Sequence, residues 1–288
     1  MSDTGRLNPR TIKPGVLKVK FIVLGAVVGD RMPEDGNASD PNTWRRIEGG
    51  QEDQGLTLNS RTGSYCQVNS NGEIELTGVG TSRAGSAFFN RISVSSDFTI
   101  TFDQYQFGGN GADGIVFGLH NDPRGKSALG YLGGGMGWFN VGSQLGIAPS
   151  VFCEFDNYYG NSGTSLSDAA HGITNNHMHL GQYPIRLSNA TELDSAVDLG
   201  SASYLEDGTW HDTTVTYVAA TNTLTVSLDS GAFTTSGVID LESFFSDQYA
   251  YWGFSSGTGG LTHDHKIRNI VISATPENPS VLRCTEDQ

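Results

Sequence analysis

From about Leu56 onward, apolar and polar residues alternate in short runs separated by turn residues. Residues 73–76, 98–102, 213–218, 224–228 and 267–272 each send every second side chain to one face, the period of a half-buried β-strand. The break Ala219-Ala220-Thr221-Asn222 between two of these runs predicts a hairpin. Helical periodicity is essentially absent, apart from one short turn expected over 240–245. Many strands with one apolar face each bury those faces by packing as two sheets. The pattern predicts an all-β chain, an antiparallel β-sandwich of jelly-roll type.

The first 45 residues follow a different pattern. They carry Arg6, Arg10, Lys13, Lys18 and Lys20, then an apolar run within 16–29, then a loop over 33–41 rich in Pro, Gly, Asn and Asp that marks a boundary. The organisation read from this is a 1–45 N-terminal extension, a 46–275 sandwich and a 276–288 C-terminal tail. The extension is either an outer strand or a docking segment for a protein partner or a second copy of the chain. Its uncharged apolar stretch is about nine residues, short of the roughly 20 that cross a bilayer, and it has no good signal-peptide cleavage site. It reads as a strand.

Composition narrows the function. The chain has 288 residues, 36% hydrophobic and 10% aromatic, which is too apolar for a disordered protein, and its 38 glycines argue against a mainly helical one. Seventeen basic residues against 31 acidic give a net charge of −14. That balance disfavours nucleic acid and anionic membrane as partners and suits acidic clusters that hold cations. Three cysteines are no disulfide framework. Cys153, within an apolar run, reads as a buried thiol, and a bridge between Cys66 and Cys284 is left open.

Three segments far apart in sequence carry candidate chemistry: Gly111-Ala112-Asp113-Gly114; the run from Val151 through Glu154-Phe155-Asp156-Asn157-Tyr158 to His177; and Gly253-Phe254-Ser255-Ser256-Gly257 with the loop after it. In an extended strand Glu154, Asp156 and Tyr158 emerge on one face, and like charges so close raise each other's pKa unless a cation neutralises them. Tyr158, Asn161 and Asp168 add backbone, amide and carboxylate oxygens, the hard ligands Ca²⁺ prefers. His177 offers a nitrogen for a second transition metal such as Mn²⁺. Spacing alone is equally compatible with a solvated acidic turn.

Together the three segments, over about 72–274, resemble the L-type lectins, the legume-lectin-like branch of the concanavalin-A-like sandwiches. The resemblance implies a non-catalytic domain that binds glycans or glycoproteins with Ca²⁺, in an extracellular, cell-surface or virion-associated setting. It implies a cis peptide at Ala112–Asp113 and an Asp113 carboxylate that accepts from sugar hydroxyls. A backbone donor is expected from Gly133-Gly134-Gly135, chiefly Gly134 and Gly135. Asp156, the Tyr158 carbonyl, Asn161 and Asp168 would hold Ca²⁺, with Asn161 also touching sugar. The ring of Tyr158 or Tyr159 would stack on a pyranose, Gly259 and Gly260 would line the specificity loop, and Glu154 with His177 would hold the outer metal. The match is imperfect: Gly160 stands where the sugar-binding Asn is expected, so Asn157 is an alternative to Asn161, and Asn175 or Asn176 an alternative to Asp168.

Competing motifs fall short. Gly109-Asn110-Gly111-Ala112-Asp113-Gly114 matches a dinucleotide fingerprint in form, but an alternating strand follows it where a helix is required. A glycoside hydrolase on the same sandwich would need E-x-D-x-x-E, and the third acid position is Tyr159. A lectin-like sandwich serving only structure or adhesion is the contrasting reading.

Overall fold

The structure is a computed structural model that describes residues 17–20, 43–44, 55–158, 173–174, 176–184 and 190–277. Among these residues the strands form two antiparallel sheets rather than a closed barrel. One sheet runs Phe233–Val238, Thr223–Leu228, His211–Val218, Phe98–Phe107, Asp264–Ala274, Ile74–Glu75, Gln67–Val68. The other runs Thr191–Glu192, His177–Tyr183, Ser150–Asp156, Gly114–His120, Tyr249–Thr258, Arg83–Ser93, Leu56–Ser60, Thr43–Trp44. The predicted sandwich is present.

The first sheet keeps the alternation read from the sequence: Phe98–Phe107 and His211–Val218 bury every second residue against the facing sheet. The inter-sheet core is aliphatic and aromatic, with Ile100, Phe102, Phe117, Phe155, Val215, Val226, Trp252 and Phe254 all essentially inaccessible. The expected hairpin turns through a single 3-10 turn, Ala219–Thr221, with Asn222 at φ +52°. The turn over 240–245 is a short helix, Leu241–Phe245, capped by the Asp240 side chain accepting from the Ser243 N–H.

The centre of the second sheet departs from alternation. Every residue of Gly114–His120 and of Ser150–Asp156 is buried. The cause is a third layer: the connection 121–148 folds back over the outer face and packs Met136, Trp138, Phe139 and Ile147 on Val116, Phe152 and Tyr183. A buried carboxylate fastens that layer, since half-buried Arg124 donates to Asp122 through Nε and Nη2 at 2.8 and 2.9 Å and the Ala148 N–H joins it at 3.1 Å. Polar side chains on this face of the sheet are therefore enclosed.

At the N-terminal side, Leu17–Lys20 pairs antiparallel with residues 271–274 of the chain's own sheet. The loop over 33–41, and the rest of the apolar run within 16–29, lie outside the described residues, as does the tail from 278. Cys66 and Cys153 are buried free thiols, and Cys284 lies outside the described residues. No helix among the described residues is long and apolar enough to cross a membrane.

Candidate functional site

Asp113 sits where three central strands of the second sheet end. Its N–H donates to Gly257 O and its carbonyl accepts from the Asn157 N–H, each at 3.2 Å. The Ala112–Asp113 peptide is cis. The side chain is only 4% exposed, and Oδ2 makes no hydrogen bond among the described residues. Glycines from two loops close over it. A Cβ placed on Gly259 would stand 3.6 Å from Asp113 Oδ2 and 3.6 Å from Gly133 Cα, and one on Gly133 would stand 4.0 Å from the same oxygen. Absent side chains thus leave a methyl-sized gap beside a buried acceptor. Burial pushes the Asp113 carboxyl up to about 7; the negative charge of Asp156 adds to the rise, and the Gly259 amide opposes it.

Glu154 and Asp156 lie one residue apart on the strand Ser150–Asp156, on the face shared with Val116 and Phe152, and both are fully buried. The neighbouring strand His177–Tyr183 sets His177 opposite Asp156 and His179 opposite Glu154. His179 Nδ1 is 3.9 Å from Glu154 Oε1. Sequence spacing points to His177 alone; strand register, which sets the facing pairs, brings His179 to the carboxylates as well. Among the described residues no group of three or more His, Cys, Asp or Glu converges at metal-binding distance. Asn161, Asp168 and Tyr159 lie outside the described residues.

Tyr158 projects outward, 40% exposed, while its N–H donates to Asp156 Oδ1 at 2.6 Å. Two of the three alternative asparagines have side-chain amides held by neighbours. Asn157 turns inward, its amide donating to Gln106 Oε1 at 3.0 Å, and Gln106 in turn donates to Gln104 Oε1 and Gln104 to Thr213 Oγ1. Asn176 donates to Ala202 O and to Glu206 Oε2 and accepts from the Leu205 N–H. Asn157 Oδ1 is buried without a hydrogen-bond partner among the described residues. Asn175 lies outside the described residues.

Of the glycine triplet, which forms a 3-10 turn Gly133–Gly135, Gly133 is the member set against Asp113. Gly134 is half-buried, and Gly135 faces Tyr131, where a Cβ would come within 3.0 Å of the Tyr131 Cβ. Gly259 lines the gap; Gly260 opens to empty space, followed by Leu261, 36% exposed. The floor of the site is therefore a carboxylate and its walls are main chain, with exposed Tyr158 following Asn157 and exposed Leu261 following Gly260 in the chain.

A family model described as the legume lectin β-barrel domain matches residues 48–270. A comparison with curated protein sequences returns no match. Solved structures that share the fold include a lectin from Bauhinia forficata in complex with GalNAc, at 18% identity and TM-score 0.56, covering 77% of this chain and 93% of that one. Lectin I-B4 from Griffonia simplicifolia, in a metal-free form, matches at 18% identity and TM-score 0.60, covering 76% and 93%. Arcelin-5, a lectin-like defense protein from Phaseolus vulgaris, matches at 19% identity and TM-score 0.56, covering 77% and 92%. With a family model spanning most of its length and this architecture beneath it, the chain belongs to the legume lectin domain family.

Proposed function

We propose that this chain is a non-catalytic lectin module that binds glycans or glycoproteins in a calcium-dependent manner at an extracellular or surface location. The observation that carries the reading is Asp113: a buried carboxylate oxygen without a hydrogen-bond partner among the described residues, under a gap walled by Gly133 and Gly259. Such an acceptor is costly to bury until donors reach it, and vicinal sugar hydroxyls are donors of the right size and spacing. Tyr158 supplies an exposed ring for the apolar face of a pyranose. That the Bauhinia forficata lectin, which shares this fold, is in complex with GalNAc supports this ligand class.

The donor set fits divalent cations. Glu154 and Asp156 are fully buried like charges one residue apart with imidazoles opposite them, an arrangement that a cation relieves. Asp156, the Tyr158 carbonyl, Asn161 and Asp168 would hold Ca²⁺; Glu154 with His177 or His179 suits a second ion such as Mn²⁺. When bound, Ca²⁺ supplies positive charge that counters the field Asp156 imposes on Asp113 and keeps the latter ionised for hydroxyl donors.

Asp113→Asn tests the reading. The variant is expected to keep its near-UV circular dichroism and to lose glycan binding at least tenfold, because an amide carries one acceptor where the carboxylate carries two and has no charge. Unchanged glycan binding in a folded Asp113→Asn protein would overturn the assignment.

A further inference from the structure

Asp113 follows a glycine-rich loop, Gly108 to Gly111, whose far end is held by residues outside the family motifs. Asn110 N–H donates to Thr262 O at 2.8 Å, and Asn110 Oδ1 accepts from the Thr262 N–H at 2.9 Å. Beside this pair the Gly109 N–H donates to His263 Nδ1 at 3.2 Å. A backbone N–H can only donate, so Nδ1 carries a lone pair, and the proton of the neutral ring sits on Nε2. From there it is donated to Glu206 Oε1 at 2.6 Å. The other oxygen, Glu206 Oε2, accepts from Asn176. Glu206 also packs on the loop directly, 3.5 Å from where a Gly111 Cβ would stand. One imidazole thus joins three segments: the Asp113 loop, the Gly259–His263 loop and the connection that carries Glu206.

We infer that His263 and Glu206 are positioning residues of the Asp113 site, forming a clasp that is closed with the ring neutral and opened by acid. The inference rests on the proposed glycan site being where ligand binds. Protonating Nδ1 would point its new N–H at the Gly109 N–H, two donors with no acceptor between them, and the loop end must move away. The titratable groups facing the ring are Glu206 and His265, whose ring centroid is 6.2 Å distant. His265 is buried with its Nδ1 2.8 Å from Thr77 Oγ1, and burial holds it neutral, its pKa lowered to about 3. Phe107 stacks against His263 without charge, and the intervening Asp264 pairs with Lys266 at 2.6 Å. Glu206 is therefore the charge that favours the protonated ring, and Gly109 the donor that opposes it.

The test uses the full chain in saturating Ca²⁺, with two readouts between pH 7.5 and 5.5. The first is hydrogen exchange of the Gly109 amide, corrected for intrinsic rate. Its protection is expected to fall with acid in wild type and to stay level in His263→Asn, whose Oδ1 accepts from Gly109 but does not titrate. The second is affinity for the best ligand from a glycan array, where each proton linked to binding contributes about tenfold per pH unit. Wild type is expected to lose affinity with a steeper slope than His263→Asn, which lacks the titrating ring. Glu206→Gln, lacking the charge that favours the protonated ring, moves the wild-type midpoint to lower pH, a shift opposite to simple damage. Level Gly109 protection in wild type would overturn the clasp. Acid-sensitive protection with identical affinity profiles in wild type and His263→Asn would overturn its link to binding. If wild type binds no glycan at any pH, the lectin reading fails and the positioning role with it, while Gly109 exchange still decides whether the clasp exists.

Discussion

Asp113 concentrates the conflict between stability and binding in one side chain. Its folded pKa of about 7 lies above the ordinary 3.8, so the folded protein without metal binds a proton there that the unfolded chain has lost. Stability from this group is thus greatest in acid and declines as pH rises from about 4 to 7. At pH 7.5 and without Ca²⁺, Asp113→Asn is expected to stabilise the fold by on the order of 2–4 kcal/mol in denaturant titration, even as it removes binding. Equal or lower stability would show that the carboxylate is better solvated than its burial indicates. Gln106 makes the reverse case. It links Asn157, whose amide holds the Asp113 carbonyl, to Gln104 and Thr213 through buried amides. Gln106→Leu takes the partner from the Asn157 side-chain amide and from Gln104 Oε1, and is expected to cost about 1–3 kcal/mol in the same titration. The Asp113 motif was legible from sequence by its likeness to a family, but the inward turn of Asn157 was not, because it depends on a β-strand neighbour 51 positions away.

At the scale of elements, the sequence resolved strands by their alternation wherever one face stays near solvent, as in Phe98–Phe107 and Thr223–Leu228. It did not resolve the third layer. Gly114–His120 and Ser150–Asp156 read as apolar runs, and what covers their outer face is an irregular connection with no period to detect. The same limit applied to the face that carries Glu154 and Asp156, where antiparallel register rather than spacing decides that His179 stands opposite Glu154. The loops over Asp113 make the clearest element-level prediction. A Cβ on Gly259 meets only ordinary contact distances, so Gly259→Ala is expected to fold with little change in melting temperature. The added methyl stands over Asp113 Oδ2, and glycan affinity is expected to drop tenfold or more by calorimetric titration. Preserved affinity would place the ligand elsewhere.

At the scale of the whole molecule, three enclosed groups among the described residues contribute to the response to acid in known directions. His120, boxed by Phe88, Trp138 and Tyr251, and His265 are both pushed down to about 3 by burial, from an ordinary 6.5. Between about pH 4 and 6 the unfolded chain binds these two protons and the fold does not, while Asp113 binds one the unfolded chain lacks. Together these three groups are expected to lower stability without metal by about 1.4 kcal/mol for each pH unit of acidification over that range. Denaturant titrations at pH 6 and 5 check this, and His120→Gln should flatten the slope. The account as a whole turns on calcium-dependent recognition of sugar. The most direct measurement is a glycan array probed with the full chain in Ca²⁺ and again in EDTA. The account predicts binding to a defined set of glycans in Ca²⁺ that disappears in EDTA. Binding that persists in EDTA would contradict the role given to the cation, and absence of binding in both buffers would contradict the lectin function and leave the sandwich as a scaffold.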